Sequence, residues 1–382
     1  MRAHAERLDG LGTTIFAEMS ALAVATGSVN LGQGFPDRDG PDSLLEDAIA
    51  AIRTGANQYP PARGVPALRQ AIADHQQRFY GLTYDPDTQV LVTTGATEAI
   101  AAGLLAFVEP GDEVIALEPY YDSYAAGIAF AGGRRVPVTL RAPAYRLDLD
   151  ELRAAVTPRT KVLLINSPHN PTGTVLTDEE LRGIRDVAVE HDLVVITDEV
   201  YEHLVYDGTH RPLATYDGMA ERTVSISSAG KTFAVTGWKI GWVTGSPEVV
   251  TAVTTAKQFL TYTSGAPFQP AVANALALGN DYYETLCADL RARRDLLCDG
   301  LATLGFEVHR PAATYFVTTD IRPLGHTDGI TFCRQLPEKA GVVAIPTQVF
   351  YDHQSVGQPL VRWAFCKQPG ILQEALTRLK QL

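Results

Sequence analysis

The sequence is short of lysine. It holds 7 lysines against 25 arginines in 382 residues, so each lysine can be weighed singly. Cysteine is scarce too: Cys287, Cys298, Cys333 and Cys366 are the four present, and none forms a Cys-x-x-Cys pair. That spacing argues against a disulfide framework, and reduced thiols, buried or half-buried, are expected. No apolar stretch is long enough to span a bilayer. The longest, residues 99–108, suits a buried helix. The N-terminal segment has no charged head followed by a long apolar run, so no signal peptide is expected and the cytoplasm is the expected location. Basic charge is also in deficit, with 32 basic against 44 acidic residues and a net charge of −12. Nucleic acid and anionic membrane surfaces are therefore not expected as partners, although a small anion could still enter a local basic pocket.

Several catalytic motifs are absent. Gly230-Lys231-Thr232 looks like the end of a phosphate-binding P-loop, but that motif needs glycine at 225, where the chain has Ser225. Gly32 and Gly34 begin a dinucleotide fingerprint that Asp37 fails to complete. There is no Gly-x-Ser-x-Gly elbow. The nine histidines show no metal-binding spacing, so no metal is expected.

What is present is an alternation of strands and helices. Residues 89–94, 113–117, 135–140, 161–166, 193–198 and 223–227 read as strands, separated by helical segments at 96–108, 122–131 and 178–190. The strands are continuous apolar runs, as expected when both faces of a mostly parallel sheet are covered. The fold class expected is α/β, with a large doubly wound sheet domain. After a helical stretch at roughly 247–304, the segments 305–309, 314–319, 342–345 and 371–381 suggest a smaller α+β domain. The expected division is an arm and part of the small domain at 1–42, a large domain at 43–280, and a small C-terminal domain at 281–382.

Six segments then stand out. SSAGKTFAVTGWKIGW (227–242) sets Lys231 among small residues after a strand, where ligands of such sheets bind, with Lys239 eight residues on. TDEVYEHL (197–204) puts Asp198 at a strand end, with Tyr201 three residues later. NSPHNPTG (166–173) is a turn after a strand, and TTGATEA (93–99) opens a helix whose free amides suit a phosphate. EPYYDSY (118–124) places aromatics after a strand. LVRWAFCK (360–367) holds an arginine in an apolar strand, which should meet a carboxylate. Each segment alone could be a turn, a cap or surface.

Taken together and in order, these segments resemble the fold-type I, class I aminotransferases over nearly the whole chain. NLGQGFPD (30–37), NQYPP (57–61), DEVYEHL and the lysine segment resemble the branch that contains glutamine/kynurenine and bacterial N-succinyldiaminopimelate aminotransferases. The resemblance implies an aspartate aminotransferase-like fold with a sheet of the seven-stranded type. It also implies pyridoxal 5′-phosphate (PLP) bound covalently to Lys231 as a Schiff base. Asp198 would face the ring nitrogen, Asn170 and Tyr201 the ring oxygen, and Tyr121 the ring face. Ser228, Lys239 and the amides of Ala96 and Thr97 would cradle the phosphate, with Tyr59 reaching it from a second subunit of a homodimer that shares its active sites. Arg362 would fork onto the substrate α-carboxylate beside the Gly34 amide, and Phe16 and, across the dimer, Tyr262 would line the side-chain pocket. Phe16 stands where relatives often carry Trp, and Tyr121 where kynurenine-type relatives carry Phe, so side-chain preference stays open.

The activity implied is exchange of an amino group between an amino acid and a 2-oxo acid. The expected pair is N-succinyl-LL-2,6-diaminopimelate with 2-oxoglutarate, a step of lysine biosynthesis. The alternative is a broad glutamine/kynurenine/methionine transaminase with cysteine-S-conjugate β-lyase activity on the side.

Overall fold

A computed structural model describes residues 4–382. Its strands, in chain order, are β1 (Val29–Asn30), β2 (Val90–Thr94), β3 (Glu113–Glu118), β4 (Arg134–Thr139), β5 (Thr160–Asn166), β6 (Val194–Asp198), β7 (Thr223–Ser228), β8 (Ile240–Thr244), β9 (Glu307–His309), β10 (Phe316–Asp320), β11 (Val342–Val343), β12 (Ile345–Pro346) and β13 (Leu360–Ala364). Seven of them form one sheet in the order β2-β8-β7-β6-β5-β3-β4. Within it β8 is antiparallel to both neighbours, and the other pairings are parallel. The fold is α/β, as the alternation predicts.

The apolar runs explain the two covered faces. Side chains alternate along a strand, so a run with no polar gaps supplies both sides. Val114, Ala116, Val162, Leu164 and Ile196 pack with Ala99, Ile100 and Ile128 on one face. Ile115, Leu163 and Val195 pack with Leu152, Ile184 and Val187 on the other. Helices lie between the parallel strands, and the helix Asp178–Glu190 starts with a capping box in which Thr177 and Glu180 satisfy each other's backbone N–H groups.

The second sheet is antiparallel, in the order β12-β13-β10-β9. Near the N-terminus, β1 runs parallel to β11 and so joins the arm to the C-terminal part. Met19 and Leu31 from the arm share a core with Leu301, Val317 and Trp363.

Two segments differ from the sequence reading. Residues 240–244 form β8, whose Gly241 and Trp242 sit among the aromatic and small residues that mask a strand pattern. The helical stretch at 247–304 is three helices, Pro247–Lys257, Phe268–Leu276 and Asn280–Thr303, because the Gly265–Pro267 region interrupts the periodicity.

Trp363 is 0% exposed, donates from Nε1 to Thr319 Oγ1 at 2.9 Å, and meets Phe306 edge-on at 5.5 Å. Trp363→Ala is expected to destabilise the protein by about 3–5 kcal/mol, the range for truncating a buried aromatic. Chemical denaturation checks this; a change below about 1 kcal/mol would contradict the packing described.

Candidate active site

The carboxyl ends of β5, β6 and β7 are adjacent and in register. Asn166 pairs with Asp198, and Asp198 with Ile226. Asn166 Nδ2 donates to Asp198 O at 2.8 Å and to Pro168 O at 3.1 Å, which fixes the turn after β5 against the end of β6. The turn then delivers Asn170, whose backbone N–H donates to Asn166 Oδ1 at 2.8 Å. One cavity of about 890 Å³ opens over this edge.

Asp198 is the last residue of β6 and is buried. Tyr124 donates to its Oδ2 at 2.6 Å and the Val200 N–H to its Oδ1 at 3.3 Å. Burial raises its proton affinity above the usual carboxylate range, and these two hydrogen bonds with the nearby Lys231 work against that rise. Lys231 lies just past β7. Burial pulls its amine down to about 8, against a weaker opposing pull from Cys366 and Asp198. Its Nζ sits 5.6 Å from the ring centres of both Tyr201 and Tyr315 and has no hydrogen-bond partner among the described residues. Tyr201 meets Tyr315 edge-to-face at 5.3 Å, and burial raises the affinity of both phenols for their protons.

An anion cradle faces this group. The helix Gly95–Phe107 begins directly after β2, so the amides of Gly95, Ala96 and Thr97 lie at its positive end. Lys239 reaches it because β8 runs antiparallel and therefore starts where its neighbours end. The backbones are close: a Cβ on Gly241 would meet Gly95 C at 2.6 Å and Ala96 N at 2.8 Å. Ala96, Thr97, Ser228 and Lys239 all line the cavity.

Arg362, in the middle of β13, is 1% exposed. Nη1 donates to Asn170 Oδ1 at 3.0 Å and Nη2 to Gly32 O at 2.8 Å, while Nε is buried with no partner. Its guanidinium lies 4.0 Å from the Phe316 ring centre and 5.0 Å from that of Phe16. Burial lowers its pKa to about 10, which leaves it charged at neutral pH. An arginine in an apolar strand is expected to meet a carboxylate. No carboxylate of the described chain hydrogen-bonds to it; carbonyl oxygens and aromatic faces hold the charge instead.

Gly34, Phe16 and Tyr121 also line the cavity, so twelve of the fourteen sequence-derived residues come together. Phe16 stacks on Phe350 at 5.7 Å, and Tyr121 lies 6.5 Å from Phe16. Burial raises the Tyr121 phenol to about 12. The other two residues, Tyr59 and Tyr262, do not line this cavity. They meet edge-on at 5.7 Å on the surface, 83% and 47% exposed.

Sequence reasoning missed Tyr124, which lies in the first turn of the helix Asp122–Phe130 and supports Asp198. It also missed a buried polar layer. His75 Nε2 and His203 Nε2 are 2.6 Å apart, and Glu202 accepts from Tyr80 at 2.7 Å and from Ser227. These three residues gather metal-type atoms within 4.8 Å of one another, but each is already hydrogen-bonded. Burial pulls His75 to about 3 and pushes Glu202 up to about 7, which suits neutral groups linked by hydrogen bonds.

Comparison with known proteins fits this geometry. The family profile described as "Aminotransferase class I and II" matches residues 26–379. A Mycobacterium tuberculosis protein named "Probable N-succinyldiaminopimelate aminotransferase DapC" is 55% identical over 387 residues, covering 98% of each chain. The solved structure of N-succinyldiaminopimelate aminotransferase from Mycobacterium tuberculosis superposes with a TM-score of 0.97 at 56% identity, covering 99% of each chain. The methionine aminotransferase of Escherichia coli is 39% identical over 381 residues, covering 98% of this chain and 97% of its own. With a buried low-pKa lysine, a buried aspartate and an arginine fork in one cavity, and a family match over nearly its whole length, this chain belongs to the class I and II aminotransferases.

Proposed function

We propose that the enzyme uses PLP to take an amino group from N-succinyl-LL-2,6-diaminopimelate and pass it to 2-oxoglutarate. The residues present suit that cofactor. The close approach of Gly241 to Gly95 and Ala96 leaves the helix amides clear of side chains, a cradle that any Cβ would disturb. Ala96, Thr97, Ser228 and Lys239 would hold the phosphate. Asp198 would pair with the ring nitrogen, Asn170 and Tyr201 with the ring oxygen, and Tyr121 would cover the ring face. When bound, PLP supplies an electron sink that lets the Cα–H bond of an amino acid ionise.

The chain's own groups do the rest. Lys231, with its pKa near 8, is neutral often enough near neutral pH to form a covalent link and to accept a proton on Nζ from the donor's Cα. Asp198 stays close to a hydroxyl and an amide that favour its charged form. Arg362 offers an uncommitted Nε and a rigid planar fork, which suit the donor's α-carboxylate, with the Gly34 amide beside it. The exposed, touching rings of Tyr59 and Tyr262 suit contact with a second copy of the chain in a homodimer, where Tyr59 would reach the partner's phosphate cradle and Tyr262 its side-chain pocket.

The choice of donor rests on one observation: identity to the Mycobacterium tuberculosis relative is 55%, against 39% to the methionine aminotransferase. A second reading has its own support. The stacked rings of Phe16 and Phe350 make an apolar wall that would accept methionine, glutamine or kynurenine, and such an enzyme could also expel a β-sulfur group from cysteine conjugates.

A panel of amino donors with 2-oxoglutarate, scored by glutamate formed, decides between them. Turnover of the succinylated donor at a kcat/KM at least about 10-fold above that of methionine is expected, the size of one favourable charged contact. Methionine and kynurenine working while the succinylated donor does not would reverse the order. Arg362→Lys is expected to raise KM for every donor by about 10–100-fold, since each has the same α-carboxylate and lysine lacks the fork. In cofactor-free protein, Lys231 should titrate near 8. Asp198→Asn should lower that value further, because Asp198 attracts the ammonium form. Competitive amine labelling against pH, read by mass spectrometry, tests the sign, and a rise would contradict it.

A further inference from the structure

Among the described residues lining the cavity, four are cationic: Lys231, Lys239, Arg362 and Arg334. The first three have places in the scheme above. Arg334 has none, and neither does Glu18, an acidic residue that shares the cavity wall with it.

The two sit on different elements. Glu18 is in the helix Ile15–Thr26 of the N-terminal arm, and Arg334 is in the helix Gly329–Ala340. They form a forked ion pair, Nε to Oε1 at 2.7 Å and Nη2 to Oε2 at 3.2 Å. The Arg334 side chain is 56% exposed and that of Glu18 38%, so the pair stands where solvent reaches it, whereas Arg362 in the same cavity is buried. One carboxylate on the far end of a ligand could replace the Glu18 carboxylate without changing the number or kind of hydrogen bonds. An exposed pair of this type holds only weakly, so the exchange meets little opposition.

We propose that Arg334 is the subsite for a carboxylate at the distal end of the amino donor, with Glu18 as its resident counter-ion when the donor's side chain is uncharged. The ligand class is an amino acid, free or N-acylated, that carries a second carboxylate several bonds from its α-carbon. Arg362 holds the α end and Arg334 the distal end. Glutamine-like or methionine-like donors leave the Glu18–Arg334 pair closed and meet the apolar wall. This rests on the aminotransferase reading for the role of Arg362, and it adds the cationic group that a distally anionic donor needs.

The test measures binding first, without turnover. The full-length holoenzyme and its Arg334→Gln and Glu18→Gln variants are titrated by calorimetry with the dicarboxylates glutarate, adipate, pimelate and suberate, and with the monocarboxylate of equal length in each case. The unaltered enzyme should prefer at least one of the longer dicarboxylates to its monocarboxylate. Arg334→Gln should weaken that dicarboxylate about 10-fold, the scale of one charged hydrogen bond, and leave the monocarboxylate within about twofold. Glu18→Gln should strengthen it, because the competing carboxylate is gone. KM for the succinylated donor and for methionine should split the same way. The proposal fails if no dicarboxylate is preferred, if Arg334→Gln weakens both classes alike, or if Glu18→Gln weakens binding as Arg334→Gln does, which is the pattern of a clasp between two helices. A missing amino-transfer activity with every donor would instead overturn the aminotransferase scheme, and the binding contrast would report on Arg334 independently.

Discussion

Parallel pairing of β5, β6 and β7 sets the edge over which the cavity opens. Strands that run the same way finish at the same edge of a sheet, and their crossover loops begin there together. Asn166, Asp198 and Ser228 are the last residues of their strands, so a single register decides their spacing. The helix after β2 turns its amino end to the same edge. The antiparallel β8 then starts beside it and supplies Lys239. A slip of one residue in any of these pairings would reverse which side chains enter the cavity and which enter the core.

Burial then acts on the assembled charges in opposite directions. It makes Lys231 a weaker base and Asp198 a weaker acid, and each charge partly restores the other. Arg362 is treated differently. It has carbonyl oxygens and three aromatic faces within reach, but no hydrogen-bonded carboxylate from the chain. Neighbours of this kind keep a guanidinium charged without a carboxylate of its own, so under the proposed scheme the α-carboxylate would meet an arginine that is not already ion-paired.

Much of this was readable from residues alone, for reasons that differ by segment. The large sheet was legible because its strands are unbroken apolar runs, and Lys231, Asp198 and Arg362 because each breaks an apolar or small-residue context. β8 was hidden, since Gly241 and Trp242 give no clear period. Contacts between distant segments were hidden as well. Nothing near position 75 announces Glu202 and His203, and nothing near position 18 announces Arg334; only the folded chain brings these pairs within hydrogen-bond reach. The cavity wall was therefore legible where strand ends build it and illegible where helices from opposite ends of the chain meet.

The two arginines of the cavity show how one site can serve unlike substrates. An enzyme that exchanges amino groups in two half-reactions must accept two different side chains on the same surface, while their α-carboxylates are identical. In the proposed scheme the common group would meet Arg362, which is buried and held by Asn170 and Gly32 with no hydrogen-bonded carboxylate of the chain. The variable group would meet a solvent-reached wall where Phe16 and Phe350 offer apolar contact and Arg334 carries a counter-ion of its own. A charge with a removable partner imposes no desolvated, unpaired cation on a neutral ligand, yet can release its partner to an anionic one. Placing the unpaired arginine deep and the paired one at the solvent-reached wall is thus the arrangement that keeps recognition of the shared end strict and recognition of the differing end adjustable.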